Sequence, residues 1–256
     1  MAQSRFPTYQ FLGIRVQPLT TSDLLGVIES AIDSNAENCI IGNHNLHSLY
    51  LFHRDAKMRQ FYASNRYTHV DGMSLIFLAR MLHIPLNRSH RNACLDWFEE
   101  FFQIAEKNSW RIYFLGGRPE VAAGIPARLH RDYPNLQIKT HHGYDAFSPK
   151  TSVYAEIEAF APHIVLVGMG MPLQERWILE AQNRVHAKLF YSCGAIMDYF
   201  MGAQKTPPRW LGKLGLEWLY RLVHDPARLF FRYVIEPLTL MPLFFCEWWG
   251  RKHFAG

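Results

Sequence analysis

The chain has 256 residues, 49% of them hydrophobic and 19% charged, which supports a sizeable buried core and excludes both a disordered chain and a small disulfide-stapled scaffold. Its 27 basic and 22 acidic residues give a net charge of +5, pointing to an anionic partner and leaving nucleic acid, acidic lipid and a nucleotide substrate open. Cys39, Cys94, Cys193 and Cys246 are far apart and show no zinc spacing, so reduced thiols in a cytosolic protein are expected.

The N-terminal stretch MAQSRFPTYQFLG lacks an apolar run of signal-peptide length. Phe11–Val16 reads as a short strand, and Thr20-Thr21-Ser22-Asp23 supplies N-cap chemistry for the helix LLGVIESAIDS. Cys39–Gly42 is apolar and too short for a helix, whereas Leu46–Tyr62 shows helical spacing throughout. Tyr67–Val70 leads into Asp71-Gly72 and the apolar helix MSLIFLARML, and after the polar stretch Asn87–Asn92 another helix runs through Trp97–Glu106. From Trp110 onward strands (RIYFLGG, LQIKTHHGY, HIVLVGMG, AKLFYSCGA) alternate with helices (PEVAAGIPARLHRDY, SVYAEIEAFA, LQERWILEAQ). Such alternation predicts an α/β fold with a Rossmann-like, doubly wound parallel sheet and flanking helices. Ligands of such sheets bind at the carboxyl ends of the strands, here Gly116-Gly117, Gly143-Tyr144, Gly168-Met169-Gly170 and Cys193-Gly194.

A composition shift at Lys205-Thr206-Pro207-Pro208 separates a core, residues 1–204, from a helical appendage, residues 205–256. The appendage holds Trp210, Trp218, Trp248 and Trp249 together with Arg209, Lys213, Arg221, Arg228, Arg232, Arg251 and Lys252. Cations interleaved with Trp, Tyr and Leu suit an amphipathic element at an anionic membrane; helices packed on the core or on another subunit are the plainer alternative. Pro237 and Pro242, with Glu236, argue against a single spanning helix.

Neither GxGxxG nor GxxxxGK[ST] occurs, and no GxSxG elbow or DxD motif is present, which disfavours dinucleotide, P-loop, hydrolase and metal-nucleotide readings. Nucleic acid would rest on charge alone, so it is not expected as a partner. Asp71, following a strand and preceding a helix, is either that helix's N-cap or a general base at a strand end. The polar run Asn43-His44-Asn45-Leu46-His47-Ser48 either caps the next helix or hydrogen-bonds a sugar; without a carboxylate pair beside the histidines no metal site is expected. Gly168-Met169-Gly170-Met171-Pro172 marks a strand-to-helix turn, with Gln174 projecting toward a ligand from the first helical turn; glycine there also has a purely steric reading.

The order of VDGMSLIFLARML, YFLGG, HHGY, IVLVGMGMPLQERWI, GAIMDYFMG, LGLEWLYRL and DPARLFFRY resembles the WecG/TagA/CpsF family of bacterial glycosyltransferases, glycosyltransferase family 26, from FLGIRV to about Tyr233. The resemblance implies inverting, metal-independent transfer of a hexose from a UDP-sugar to a polyprenyl-diphosphate-linked sugar. It also implies a peripheral location at the cytoplasmic face of the bacterial inner membrane, with no cofactor; a homo-oligomer stays open. By position it makes Asp71 the catalytic base and Gln174 and Asn45 active-site amides. Gly116, Gly117, Gly143, Tyr144, Gly168, Gly170 and Glu175 would then line the nucleotide-sugar cleft. Arg221 and Arg228 would close over the diphosphate, and Arg88 and Arg91 compete for one further role at the diphosphate or acceptor.

Several positions depart from the family pattern: Asn43 replaces a threonine, Cys94 stands where aspartate is common, Phe231 replaces the first arginine of a frequent Arg-Arg-Tyr, and Thr206-Pro207-Pro208 replaces Arg-Ala-Pro. Their clustering at the expected sugar sites favours UDP-glucose and the exopolysaccharide β-1,4-glucosyltransferase branch. The alternatives are a UDP-N-acetylmannosamine transferase acting on lipid-linked N-acetylglucosamine, and a non-catalytic membrane-peripheral scaffold.

Overall fold

Apolar residues of the central strands alternate between two buried faces, as they must in a parallel sheet covered by helices on both sides. The computed structural model describes residues 5–34, 36–147 and 153–254; the side chains of Arg209 and Lys213, counted above among the appendage cations, lie outside the described ones. An antiparallel hairpin of β1 (Tyr9–Phe11) and β2 (Ile14–Val16) precedes a six-stranded parallel sheet. The sheet comprises β3 (Cys39–His44), β4 (Tyr67–Val70), β5 (Arg111–Gly116), β6 (Gln137–His141), β7 (Ile164–Gly168) and β8 (Leu189–Ser192), in the order β4-β3-β8-β7-β5-β6. The predicted strand Phe11–Val16 is thus a hairpin, because Leu12 and Gly13 both take positive φ and turn the chain back.

Helices α1 (Thr21–Asp33), α2 (Leu46–Arg54), α3 (Ala56–Ser64), α4 (Met73–Met81), α5 (Cys94–Lys107), α6 (Pro119–Leu129), α7 (Val153–Phe160), α8 (Leu173–Ala181) and α9 (Ile196–Phe200) pack around this sheet. One face, carrying Ile41, Ile112, Phe114, Leu166 and Tyr191, meets α1, α5, α6 and α9 through Leu24, Trp97, Phe101 and Ile125. The other, carrying Ile40, Tyr113, Leu115, Val165 and Phe190, meets α3, α7 and α8 through Phe61, Ile157 and Trp177. Each large side chain buried this way contributes about 1.5–3 kcal/mol. The single helix read over Leu46–Tyr62 is broken at Asp55, whose carboxylate accepts from Lys57 N at 2.8 Å and caps α3 instead of continuing α2.

Beyond residue 205 come α10 (Arg209–Leu214), α11 (Glu217–His224), α12 (Pro226–Phe230), a π turn (Phe231–Ile235) and α13 (Glu236–Phe254). Contrary to expectation, Pro226–His253 is one uninterrupted helical run, long and apolar enough by composition to cross a membrane. The prolines do not break it: Pro237 follows a π turn, a local widening of the helix, and Pro242 lies inside α13. The run nevertheless lies against the core. Leu240 and Phe244 are buried in a third cluster with Phe11, Leu12, Leu49 and Leu75, and Arg251 donates to Gln10 O at 2.9 Å.

Candidate active site at the carboxyl edge

Strands β3 and β4 lie side by side at one end of the sheet and β5 and β6 at the other, and the chain returns to fill the centre with β7 and β8. The carboxyl ends of β3, β4, β7 and β8 therefore share one edge, where a cavity of about 530 Å³ opens beneath the appendage. Asn43, Asn45, Asp71, Arg91, Gly170, Gln174, Arg221 and Arg228 all line it.

Asp71 follows β4, its backbone N–H donating to His44 O at 2.9 Å. The N-cap of α4 is Gly72, with no side-chain cap bond, so the Asp71 carboxylate is not used for capping. Asn45 serves two purposes at once: its Oδ1 accepts from Ser48 N at 3.0 Å, capping α2, while its Nδ2 donates to Asp71 Oδ2 at 3.2 Å. The carboxylate is thus aimed into the cavity by an amide that is itself fixed. Gln174, 1% exposed, is held from both sides: its Nε2 donates to Glu175 Oε1 at 2.7 Å and its Oε1 accepts from Gly194 N at 3.1 Å.

From the appendage, the Arg221 guanidinium stacks on Tyr199 at 5.0 Å from the ring centroid, and its buried Nε has no hydrogen-bond partner. Arg228 pairs with Asp225 at 2.5 Å. Gly194, one of the strand-end positions expected to meet a ligand, also lines the cavity, as do Arg232, Tyr199, Trp218 and Tyr233, which the sequence did not place there. The four-residue spacing from Arg228 to Arg232 within one helical run was the available signal.

The remaining selected residues lie elsewhere. Gly116 and Gly168 are register partners in β5 and β7, packed so closely that a Cβ on Gly116 would collide with the Gly168 carbonyl; their glycine identity serves strand packing. Gly117, Gly143 and the exposed Tyr144 are outside the cavity lining, and Arg88 sits exposed on a short 3₁₀ turn. By contrast Gly170, at φ 78°, faces open space at the cavity wall. Glu175 is fully buried behind Gln174, and burial pushes its carboxyl up to about 7. Among the described residues, His141, His142 and Asp145 stand close enough to share a metal ion, and none of the three lines the cavity.

Two buried histidines lie in β3 and β4, the strands that lead to Asn45 and Asp71. His44 stacks on Tyr62 at 3.7 Å and bonds Ser48 Oγ at 2.9 Å, while His69 bonds the Tyr191 hydroxyl at 2.8 Å. Burial lowers His44 to about 3 and His69 to about 4, from 6.5. A lowered histidine contributes stability above 6.5 that is lost as pH falls; raised Glu175 does the reverse, losing stability as pH rises from 4.5 to about 7. Two histidines against one glutamate leave a net loss on acidification between pH 6.5 and 4.5 of about 1 kcal/mol per pH unit. Urea unfolding across that window checks this, with a steeper loss expected for Glu175→Gln, where the opposing group is gone.

A parallel α/β sheet with a carboxylate, fixed amides and several arginines lining one cleft has the groups needed to hold an anionic ligand and to take a proton. Residues 9–254 match the family described as "Glycosyl transferase WecG/TagA/CpsF family", and the chain belongs to that family. It is 34% identical over 163 residues to an N-acetylglucosaminyldiphosphoundecaprenol N-acetyl-beta-D-mannosaminyltransferase of Staphylococcus aureus strain MRSA252. Proteins of the same name from strains MW2 and NCTC 8325 are 32% identical over 163 residues. The matched stretch is 64% of this chain and spans 63% of the length of each of these relatives.

These relatives overturn the expectation of UDP-glucose and the exopolysaccharide branch, since they are named for mannosaminyl transfer. Two of the departures behind that expectation, Asn43 and Cys94, have internal partners. Asn43 Nδ2 donates to Ser192 O at 2.8 Å, and the Cys94 sulfur lies 3.8 Å from the Tyr191 hydroxyl. Both positions report on packing at the cavity wall more than on the identity of a sugar.

Proposed function

We propose that this chain transfers N-acetylmannosamine from a UDP-linked donor to N-acetylglucosaminyldiphosphoundecaprenol, with inversion and without a metal ion. The observation that carries the reading is Asp71: a carboxylate spared from helix capping, held by Asn45 in a cavity that Gln174 and the appendage arginines also line. In this mechanism the acceptor hydroxyl attacks the sugar's anomeric carbon as the bond to the UDP oxygen breaks on the other face. Asp71 takes the hydroxyl proton, and Arg221 and Arg228 receive the negative charge that develops on the departing diphosphate. The names of the relatives supply the sugar and the acceptor of the proposal.

The acceptor's lipid tail calls for a membrane surface, and the appendage offers one outward stripe of Leu238, Met241, Phe245 and Trp249 on α13, with Trp210, Leu214 and Val223 exposed on α10 and α11. With its other side docked on the core, α13 suits an in-plane position at the cytoplasmic face of the membrane. Phe245→Ser with Trp249→Ser is expected to lower partition onto anionic vesicles about tenfold or more, since each ring loses its apolar burial. Sedimentation with the vesicles reads it. The function is tested by UDP release from a panel of UDP-sugars with detergent-solubilised, lipid-linked N-acetylglucosamine. Release that requires both UDP-N-acetylmannosamine and the lipid acceptor supports the proposal; silence across the panel, with no stabilisation by UDP, contradicts it.

A further inference from the structure

Arg91 lines the cavity, yet its guanidinium is already engaged. With its side chain 11% exposed, it donates from Nη1 to Asp96 Oδ2 at 3.0 Å and from Nη2 to Glu217 Oε2 at 2.9 Å. Asp96 belongs to α5 of the core and Glu217 to the first turn of α11 in the appendage, one helical turn before Arg221. Gly212 of α10 packs so tightly on this pair that a Cβ there would meet Glu217 Oε1 at 2.5 Å. A second tie, His47 Nδ1 to the buried Glu236 Oε2 at 2.7 Å, joins α2 to the start of α13.

An arginine whose two terminal nitrogens each hold a carboxylate has its fork filled and its charge compensated, and so offers little to a diphosphate. A sheltered ion pair between two structural units instead fixes their separation, because parting it leaves a charge without its partner. We infer that Arg91 is a positioning residue: bridged between Asp96 and Glu217, it clamps α10 and α11 onto the core and thereby holds Arg221 over Asp71. This rests on the cavity being the transfer site. The tie at Glu236 anchors α13 separately, so opening the Arg91 clamp loosens α10 and α11 and leaves α13 in place.

The test uses the full-length protein as Arg91→Glu, Glu217→Arg and the two together, with amide hydrogen exchange and the kcat and KM of transfer as readouts. In the double variant the positive charge sits at position 217 and faces two carboxylates, that of Asp96 and the one introduced at position 91. The clamp is thereby rebuilt with its charges exchanged. Each single variant is expected to raise exchange across residues 209–224, with 236–254 unchanged, and to lower kcat about tenfold or more. The double variant is expected to recover both to within about threefold of wild type. Glu217→Gln, which keeps the shape and an acceptor oxygen, guards against misfolding and is expected to show a smaller rise over the same residues. Unchanged exchange in the single variants overturns the clamp. Restored exchange with transfer still at the Arg91→Glu level overturns the positioning role and makes Arg91 a substrate contact. Should the wild-type protein transfer no sugar, the exchange measurements still decide the clamp, so the two readings fail separately.

Discussion

Asp71→Asn is expected to lower turnover by about 10²–10⁴ while leaving the melting temperature close to that of wild type. The substitution keeps the shape of the side chain and an oxygen able to accept from Asn45 Nδ2, so the local geometry persists. The backbone bond from Asp71 to His44 O is untouched, and α4 loses no cap because Gly72 occupies the N-cap without side-chain help. Only the capacity to take a proton disappears. Steady-state UDP release, measured beside a thermal melt, checks the pair of expectations. Turnover at the wild-type rate would remove Asp71 from the mechanism, and a large drop in melting temperature would make its role structural.

Arg221→Ala is expected to cost about 10²–10³ in kcat/KM, the usual effect of removing one donor from a developing anion. Tyr199 holds the guanidinium plane in place, and the buried Nε without a partner marks hydrogen-bonding capacity that the folded chain itself leaves unused. Most of the loss should fall on kcat, because charge on the leaving diphosphate grows as the sugar bond breaks. Arg221→Lys should recover only part of it, since an ammonium group lacks the planar fork that stacks on Tyr199 and meets two phosphate oxygens together. Equal losses in both variants would fit a need for the fork itself; full activity in the alanine variant would exclude Arg221 from the reaction.

Much of the architecture was legible because its signals are local. Strands β5, β7 and β8 are short apolar runs ending in glycine or serine, and helices alternate with the strands from β5 onward, which is the pattern of a parallel sheet. The breaks were harder to see. Asp55 ends one helix and begins another inside a stretch of continuous helical spacing, a competition between side-chain capping and apolar periodicity that spacing alone does not resolve. Pro237 and Pro242 read as helix breakers, yet the helical run continues through both, past a π turn that no simple pattern announces.

The site divides along the same line. Asn45 and Asp71 directly follow strands and Gln174 lies in the first turn of the helix after β7, so a correct strand and helix assignment brings them to one cleft. Arg88 and Arg91 are three residues apart, and only the folded chain separates the exposed one from the one clasped by two carboxylates. Gly116 and Gly168 look like ligand-approach glycines in the sequence, but their register pairing makes them neighbours of each other. The donor sugar was legible only as an alternative: departures at Asn43, Cys94, Phe231 and Thr206-Pro207-Pro208 favoured glucose, yet the Asn43 and Cys94 side chains contact Ser192 and Tyr191.

The most direct measurement of the central claim is the mass of the lipid product formed when the purified protein meets UDP-N-acetylmannosamine and N-acetylglucosaminyldiphosphoundecaprenol, with Asp71→Asn run in parallel. The account predicts that the acceptor gains the mass of one N-acetylhexosamine with the wild-type protein and stays nearly unmodified with the variant. An acceptor left unmodified by the wild-type protein, or extended equally by both, would contradict it.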